Sequence, residues 1–230
     1  MTWTAYDDPD VARKMTANAL MELSRWVGGD HEFHQPWKVF CEFMDYIGQR
    51  QSISDNTGRI ADFGCAAGYY RVILNLHLPN SVWQWYYGIE RSRPLRELSM
   101  IFEPSHSLIF EPSRSFVTAD SLYYDAHLFD LVLSGSMLQH EEHWEQALAE
   151  QMRVCRRWLI IHKIPIRSFN GLTKHSEVSH HKKMAYGVEM DEWHFPVEII
   201  NDKVGRRPVK EHYFHNDPPH WSGLYDLSTL

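Results

Sequence analysis

The 230-residue sequence predicts an α/β fold: a mainly parallel sheet flanked by helices, with a helical addition at the N-terminus. Three observations predict it. From residue 59 onward short apolar runs alternate with helix-like segments, the order a parallel sheet with crossover helices requires. A small-residue turn, Gly64-Cys65-Ala66-Ala67-Gly68, joins the first of those runs to a helix. Ahead of it, two apolar stripes recur at helical spacing.

The first stripe opens at Asp8-Pro9, an acidic cap followed by a proline in the first turn. Val11, Met15, Leu20, Leu23 and Val27 continue it until Gly28-Gly29 ends the helix. A second helix starts near Pro36 and carries Trp37, Phe40, Phe43, Met44 and Ile47 on one face; polar residues 49–58 then lead into the sheet. Strands follow over 59–63, 83–89, 115–119 and 129–134, with helices over 69–76 and 94–102. Residues 141–157 read as a helix with Trp144, Leu148, Met152 and Cys155 on its apolar face. Glu141, Glu142 and Glu145 open it and Arg153, Arg156 and Arg157 close it, as the helix dipole favours. A buried fifth strand spans 158–164. Beyond it the sequence predicts a His- and Lys-rich loop, a helix near 191–201 and a strand near 208–214. No Pro/Gly/Ser-rich linker divides the chain, so one domain is expected: an N-terminal helical cap over 1–58, a core over 59–166 and a C-terminal segment over 167–230.

Composition narrows the function classes. With 43% hydrophobic and 23% charged residues the chain is ordinary globular protein. Nine Trp, eleven Tyr and eleven Phe point to a core or pocket of large flat side chains. A formal net charge of −7 argues against a nucleic-acid partner, because gripping phosphates takes a basic surface. Cys41, Cys65 and Cys155 lie far apart without CxxC spacing, which argues against a disulfide framework and fits a reducing compartment. The first ten residues hold no signal-like apolar run, and residues 158–166 are interrupted by His162, Lys163 and Pro165. A cytoplasmic protein with no membrane span is therefore expected.

The informative run is Ile60-Ala-Asp-Phe-Gly-Cys-Ala-Ala-Gly-Tyr-Tyr70. A strand delivers the chain to a turn poor in side chains, and the helix that follows offers free N–H groups to a polar or anionic part of a ligand. A dinucleotide fingerprint wants Gly-x-Gly-x-x-Gly, whereas here Gly64-x-Ala66-x-Gly68 is followed by bulky Tyr69; a Gly-Lys-Ser/Thr phosphate loop is also absent. Glu90 ends the second strand 22 residues beyond Gly68, where a carboxylate can accept hydrogen bonds from both hydroxyls of a ribose. An acid two residues before the first glycine, with glycines four apart, resembles the first motif of class I S-adenosylmethionine-dependent methyltransferases. Ala66 departs from it, standing where that family often has glycine.

The resemblance covers residues 59–166 and implies a Rossmann-like methyltransferase fold with S-adenosylmethionine as cofactor. It implies that Asp62, Gly64, Ala66 and Gly68, with Cys65 in the same turn, hold the methionine end; that Glu90 takes the ribose; and that Asp120 and Ser121 take the adenine. The run Phe129-Asp-Leu-Val-Leu-Ser-Gly-Ser-Met-Leu-Gln-His140 looks like the family's fourth strand and the loop after it, with Ser134 at the cofactor. The chain is also similar to a methyltransferase-like subgroup with a Ser-Gly-x-Leu-Gln-type loop and an Arg-x-Pro-like strand end, here Lys163-Ile-Pro165.

Methyl transfer asks the protein to position an acceptor and, for a hydroxyl, to remove its proton. Enzymes of this kind that methylate amino nitrogens often carry Asn/Asp-Pro-Pro-Tyr after the fourth strand. Ser134-Gly-Ser-Met137 stands there instead, so an oxygen of a small-molecule or carbohydrate acceptor is expected. His140 is the first candidate base, since histidine titrates near neutrality, and His162 on the fifth strand is the second. The histidines of the tail, among them His175, His180, His181 and His220, show no His-x-x-x-His pair on a convincing helix, and no metal site is expected. Two other readings stay open: a protein that binds S-adenosylmethionine or its demethylated product without catalysis, and a nicotinamide-dependent oxidoreductase, which Tyr69 disfavours.

Overall fold

The computed structural model describes residues 3–29, 35–50, 58–77, 83–102, 124–166 and 177–228. Its helices are α1 (Pro9–Val27), α2 (Gln35–Gly48), α3 (Tyr69–His77), α4 (Arg93–Phe102), α5 (Trp144–Val154) and α6 (Val197–Val204). Its strands are β1 (Gly58–Phe63), β2 (Trp83–Ile89), β3 (Phe129–Gly135), β4 (Cys155–Pro165), β5 (Ser179–Ala185), β6 (Val188–His194), β7 (Lys210–Phe214) and β8 (His220–Asp226). Among the described residues six strands form one sheet in the order β2-β1-β3-β4-β8-β7, while β5 and β6 pair as a separate hairpin. β1 to β4 run parallel, and β8 turns antiparallel between β4 and β7. The predicted mainly parallel sheet flanked by helices is thus the observed architecture.

Both faces of the sheet are buried, and the strand period of two assigns each side chain to a face. Ile60, Leu131, Leu133, Trp158 and Ile160 pack against Phe40, Phe43, Met44 and Ile47 of α2. Ala61, Phe63, Val132, Leu159 and Ile161 face the other way, onto Trp144 and Leu148 of α5 and Ile200 of α6. Each such side chain contributes about 1.5–3 kcal/mol by leaving water. The α1 stripe is less complete than its spacing predicts: Val11 is buried, but Val27 is 61% exposed at the helix end.

The structure corrects the sequence reading in four places. The helix predicted over 141–157 spans only Trp144–Val154, and Cys155 already has extended backbone (ψ 126°) as β4 begins. Arg156 and Arg157 therefore lie on a strand, where they face Asp130 (3.3 Å) and Asp226 (3.9 Å) rather than a helix terminus. The His- and Lys-rich stretch, predicted as a loop, becomes β5 from Ser179, and the helix predicted near 191–201 is β6 followed by α6. Tyr186 (φ 55°) and Gly187 (φ 88°) join β5 to β6 as a two-residue turn with both φ values positive, the geometry a tight hairpin needs. Its charges match across the strands: Lys182 reaches Asp191 (2.6 Å) and Lys183 reaches Glu192 (2.9 Å). β8 was not foreseen at all; it is buried on both faces and lacks the alternation that marks a half-exposed strand. The strand predicted over 115–119, with Asp120 and Ser121, lies outside the described residues. Among the described residues no helix is long and apolar enough to cross a membrane.

Candidate functional site

A parallel sheet opens a crevice where the chain leaves a central strand first to one side and then to the other. Here β1 lies between β2 and β3, and the crevice is above their C-terminal ends. Residues after β1, β2 and β3, with Lys163 near the end of β4, line a cavity of about 290 Å³. Helix α1, Tyr6 and the β5–β6 hairpin complete its walls.

Backbone forms one wall. Gly64 (φ 71°), Ala66 (φ 50°) and Gly68 (φ 82°) all have left-handed backbone, which folds the turn tightly enough for α3 to start at Tyr69. For Ala66 this costs about 1–2 kcal/mol, the penalty glycine escapes. Gly64 is needed for a second reason, since a Cβ there would stand 2.6 Å from Cγ of Met137. Gly64, Cys65 and Ala66 line the cavity, whereas Gly68 lies behind the turn. The Cys65 thiol is buried, and burial pushes its pKa well up, so it stays a thiol.

Glu90 lines the same wall. Its Oε2 accepts from the N–H of Ala66 (2.9 Å) and its Oε1 from the N–H of Ser92 (2.7 Å), so one carboxylate ties the turn to the end of β2. Burial raises its pKa, while the N–H groups of Ser92 and Ala66 pull it back down. Asp62 sits in the core rather than in the wall. Burial pushes its pKa up to about 8; the Tyr86 hydroxyl, which donates to Oδ2, opposes that shift, and Glu90 adds to it. Its Oδ1 has no hydrogen-bond partner among the described residues. Ser134 is likewise fully buried, its Oγ accepting from Nε2 of Gln151 (3.3 Å), and does not reach the cavity.

The two histidines proposed as bases separate. His140 lies on a short 3₁₀ turn, Leu138–His140, after β3 and lines the cavity. Its Nδ1 lies 2.9 Å from the carbonyl oxygen of Asp191. A carbonyl can only accept, so Nδ1 carries the proton and Nε2 is the basic nitrogen. Burial lowers the pKa of His140, against the Asp191 carbonyl and Glu192. Tyr6 stacks edge-on against its ring at 5.5 Å. His162 is a core residue instead: fully buried, it shares a hydrogen bond with Ser222 Oγ (3.0 Å) and lies among the rings of Phe40, Tyr70 and Phe214.

Sequence reasoning put Lys163 near the pocket end of the fifth strand but missed the rest of the far wall. Tyr6, Lys183, Tyr186 and His220 line it with Lys163, drawn from segments spread along the chain. A signal for the hairpin existed in Tyr186-Gly187, flanked by cations on one side and acids on the other. Nothing local marked His220. Among the described residues no three His, Cys, Asp or Glu side chains converge as metal ligands.

Comparison with known proteins finds the same fold. A methyltransferase-domain family model matches residues 61–159. The solved structure of an S-adenosylmethionine-dependent methyltransferase from Clostridium acetobutylicum is similar at 10% identity and a TM-score of 0.57, covering 83% of this chain and 92% of that one. Magnesium protoporphyrin IX methyltransferase from Synechocystis, solved with bound S-adenosylmethionine, is similar at 12% identity and a TM-score of 0.55, over 84% and 78% of the two chains. The YcgJ protein of Bacillus subtilis is 18% identical with a TM-score of 0.40, over 54% of this chain and 52% of its own, so the match spans about half its length. At such identities the likeness is one of fold. No curated protein matches the chain.

Proposed function

We propose that the chain is a class I S-adenosylmethionine-dependent methyltransferase that transfers a methyl group to an oxygen of a small molecule or sugar; the methyltransferase-domain model over residues 61–159 and the fold shared with solved methyltransferases support this reading. The observation that carries this reading is the junction of the Gly64–Ala66 turn with Glu90 at one wall of a cavity whose other walls come from α1 and the β5–β6 hairpin. The residues present fit the cofactor. Glu90 Oε2 accepts from the Ala66 N–H and Oε1 from the Ser92 N–H, and a carboxylate with about four lone-pair sites keeps capacity for a ribose hydroxyl. The turn presents backbone and small side chains, so a ligand can approach it closely.

When bound, S-adenosylmethionine supplies a methyl group on a cationic sulfur. An acceptor oxygen held in this cavity would take that methyl group, with the electron pair of the carbon–sulfur bond left on sulfur. A hydroxyl acceptor also gives up a proton. In this reading His140 receives it at Nε2: the Asp191 carbonyl holds its Nδ1–H, and burial favours the neutral ring. In this reading residues 1–58 cap the cofactor and residues 167–230 shape the acceptor side.

Calorimetry with S-adenosylmethionine and S-adenosylhomocysteine tests binding, and S-adenosylhomocysteine release in acceptor mixtures tests turnover. Glu90→Gln is expected to weaken both ligands by about tenfold, a loss of about 1.4 kcal/mol. Binding of neither nucleoside would overturn the reading. Binding without turnover, unchanged by His140→Ala, would leave a protein that senses the cofactor rather than spends it.

A further inference from the structure

The wall opposite the Gly64 turn is cationic. Lys163, Lys183 and His220 all line the cavity there, on β4, β5 and β8. Lys163 is the unusual member. Its backbone is left-handed (φ 54°), a conformation that costs a long side chain about 1–2 kcal/mol. The β4–β8 register also slips between Ile161 and Ile164, so Lys163 sits in a bulge, a device that re-aims a side chain out of its pleat. Backbone bonds lock it in place: its N–H donates to Ser222 Oγ (2.9 Å) and its carbonyl accepts from Ser136 Oγ (3.2 Å).

The Lys163 ammonium has no hydrogen-bond or ion-pair partner among the described residues, although the side chain is largely enclosed. Burial lowers its pKa, Glu22 across the cavity raises it in part, and Lys183 lowers it again. Lys183 itself is paired with Glu192. His220 Nδ1 lies 2.8 Å from the carbonyl oxygen of Pro218, which fixes its proton there and leaves Nε2 as the other polar atom of the ring. Burial first, then Lys163, push the His220 pKa down to about 4. With Lys183 held by Glu192 and Lys163 meeting Glu22 only through space, the Lys163 ammonium is the cation of this wall that lacks a hydrogen-bonded anion among the described residues.

We propose that the acceptor carries a carboxylate or phosphate group, and that the Lys163 ammonium, aided by Lys183 and His220, binds it. Naming that anion an acceptor rests on the methyltransferase reading; the anion subsite itself does not. A cofactor seated on Glu90 leaves this wall to the second substrate, because β2 and β4 are three strand spacings apart, about 14 Å.

The test titrates the full chain, saturated with S-adenosylhomocysteine, with inorganic phosphate and separately with acetate. The imidazole signal of His220, assigned by its loss in His220→Gln, is followed by NMR. At least one anion is expected to shift it saturably and to move its titration midpoint upward from about 4. Lys163→Asn is the chosen variant, since asparagine tolerates left-handed backbone and so keeps the fold. It is expected to weaken that anion at least tenfold, with Lys163→Arg retaining it and Lys183→Met weakening it a few-fold. No saturable shift with either anion, or a shift that persists in Lys163→Asn, would overturn the proposal. So would a tenfold loss of S-adenosylhomocysteine affinity in Lys163→Asn with methylthioadenosine unaffected, because Lys163 would then hold the carboxylate of the cofactor. If the wild-type chain binds no S-adenosylhomocysteine, the methyltransferase reading fails, while the same titration of the ligand-free chain still tests the anion subsite.

Discussion

The two walls of the cavity are built in different ways. On the Gly64 side, backbone does the shaping: a turn with three left-handed residues and one carboxylate that ties the turn to the end of β2 through backbone N–H groups. On the Lys163 side, the surface is made of side chains from β4, the β5–β6 hairpin and β8, with His140 from the 3₁₀ turn after β3 and Tyr6 from near the N-terminus. A wall made of backbone depends on a few consecutive residues. A wall made of side chains depends on how distant segments pack. One wall can be broken by a single Cβ, whereas the other should respond to charge and proton changes.

Gly64→Val should break the backbone wall most completely. It places a branched side chain at φ 71° and within 2.6 Å of Met137 Cγ. Calorimetry should show S-adenosylhomocysteine affinity reduced by about 100-fold or more. Next, His140→Ala should lower kcat by about 100-fold or more with cofactor affinity unchanged. His162→Gln should leave kcat in place and cost stability only, about 1 kcal/mol by denaturant melting, through its bond to Ser222. Equal effects of the two histidine variants on kcat would erase the distinction between cavity and core.

Asp62, buried beneath the Gly64 turn, and His220, in the Lys163 wall, should also differ in sign against pH. The folded pKa of Asp62 stands near 8, above its ordinary 3.8, so its contribution to stability is complete below about pH 4 and drains away as pH rises towards 8. Thermal melts of Asp62→Asn should therefore lose less stability than the wild type between pH 5 and pH 9. His220 runs the other way: with its folded pKa near 4, below 6.5, its contribution is present above pH 6.5 and lost as pH falls through 4. His220→Gln should flatten the acid limb of the same curve. The smallest effect is expected for Ala66→Gly, where relief of left-handed strain is offset by glycine's greater loss of chain freedom on folding, leaving a net change within about 0.5 kcal/mol in a urea melt.

Much of the fold was readable because its elements are locally consistent. Residues 83–89 were predicted as a strand and form β2, and the helix expected from near Pro36 begins at Gln35. The readings that failed share a cause. β5 carries His180, His181, Lys182 and Lys183, a composition that reads as a solvated loop until Asp191 and Glu192 are brought opposite. Helix α5 was overextended because Arg156 and Arg157 suit a helix C-terminus in charge, while their acidic partners Asp130 and Asp226 lie on neighbouring strands. Among the site residues, His140 and His162 looked alike in the sequence. They differ only because one follows the end of β3 and the other points into the core beneath α2 and α3.

The amino-acid sequence alone determined the parallel α/β order, the small-residue turn from Gly64 to Gly68 and the acid at the end of β2, because each is a contact between residues close along the chain. Tertiary structure alone decided that Asp62 lies beneath the turn rather than in the cavity, that the β5–β6 hairpin closes over the site, and that Lys163, Lys183 and His220 share a wall. The physical reason is range: backbone conformation follows from neighbours in sequence, whereas burial and electrostatic environment follow from whatever packing brings alongside.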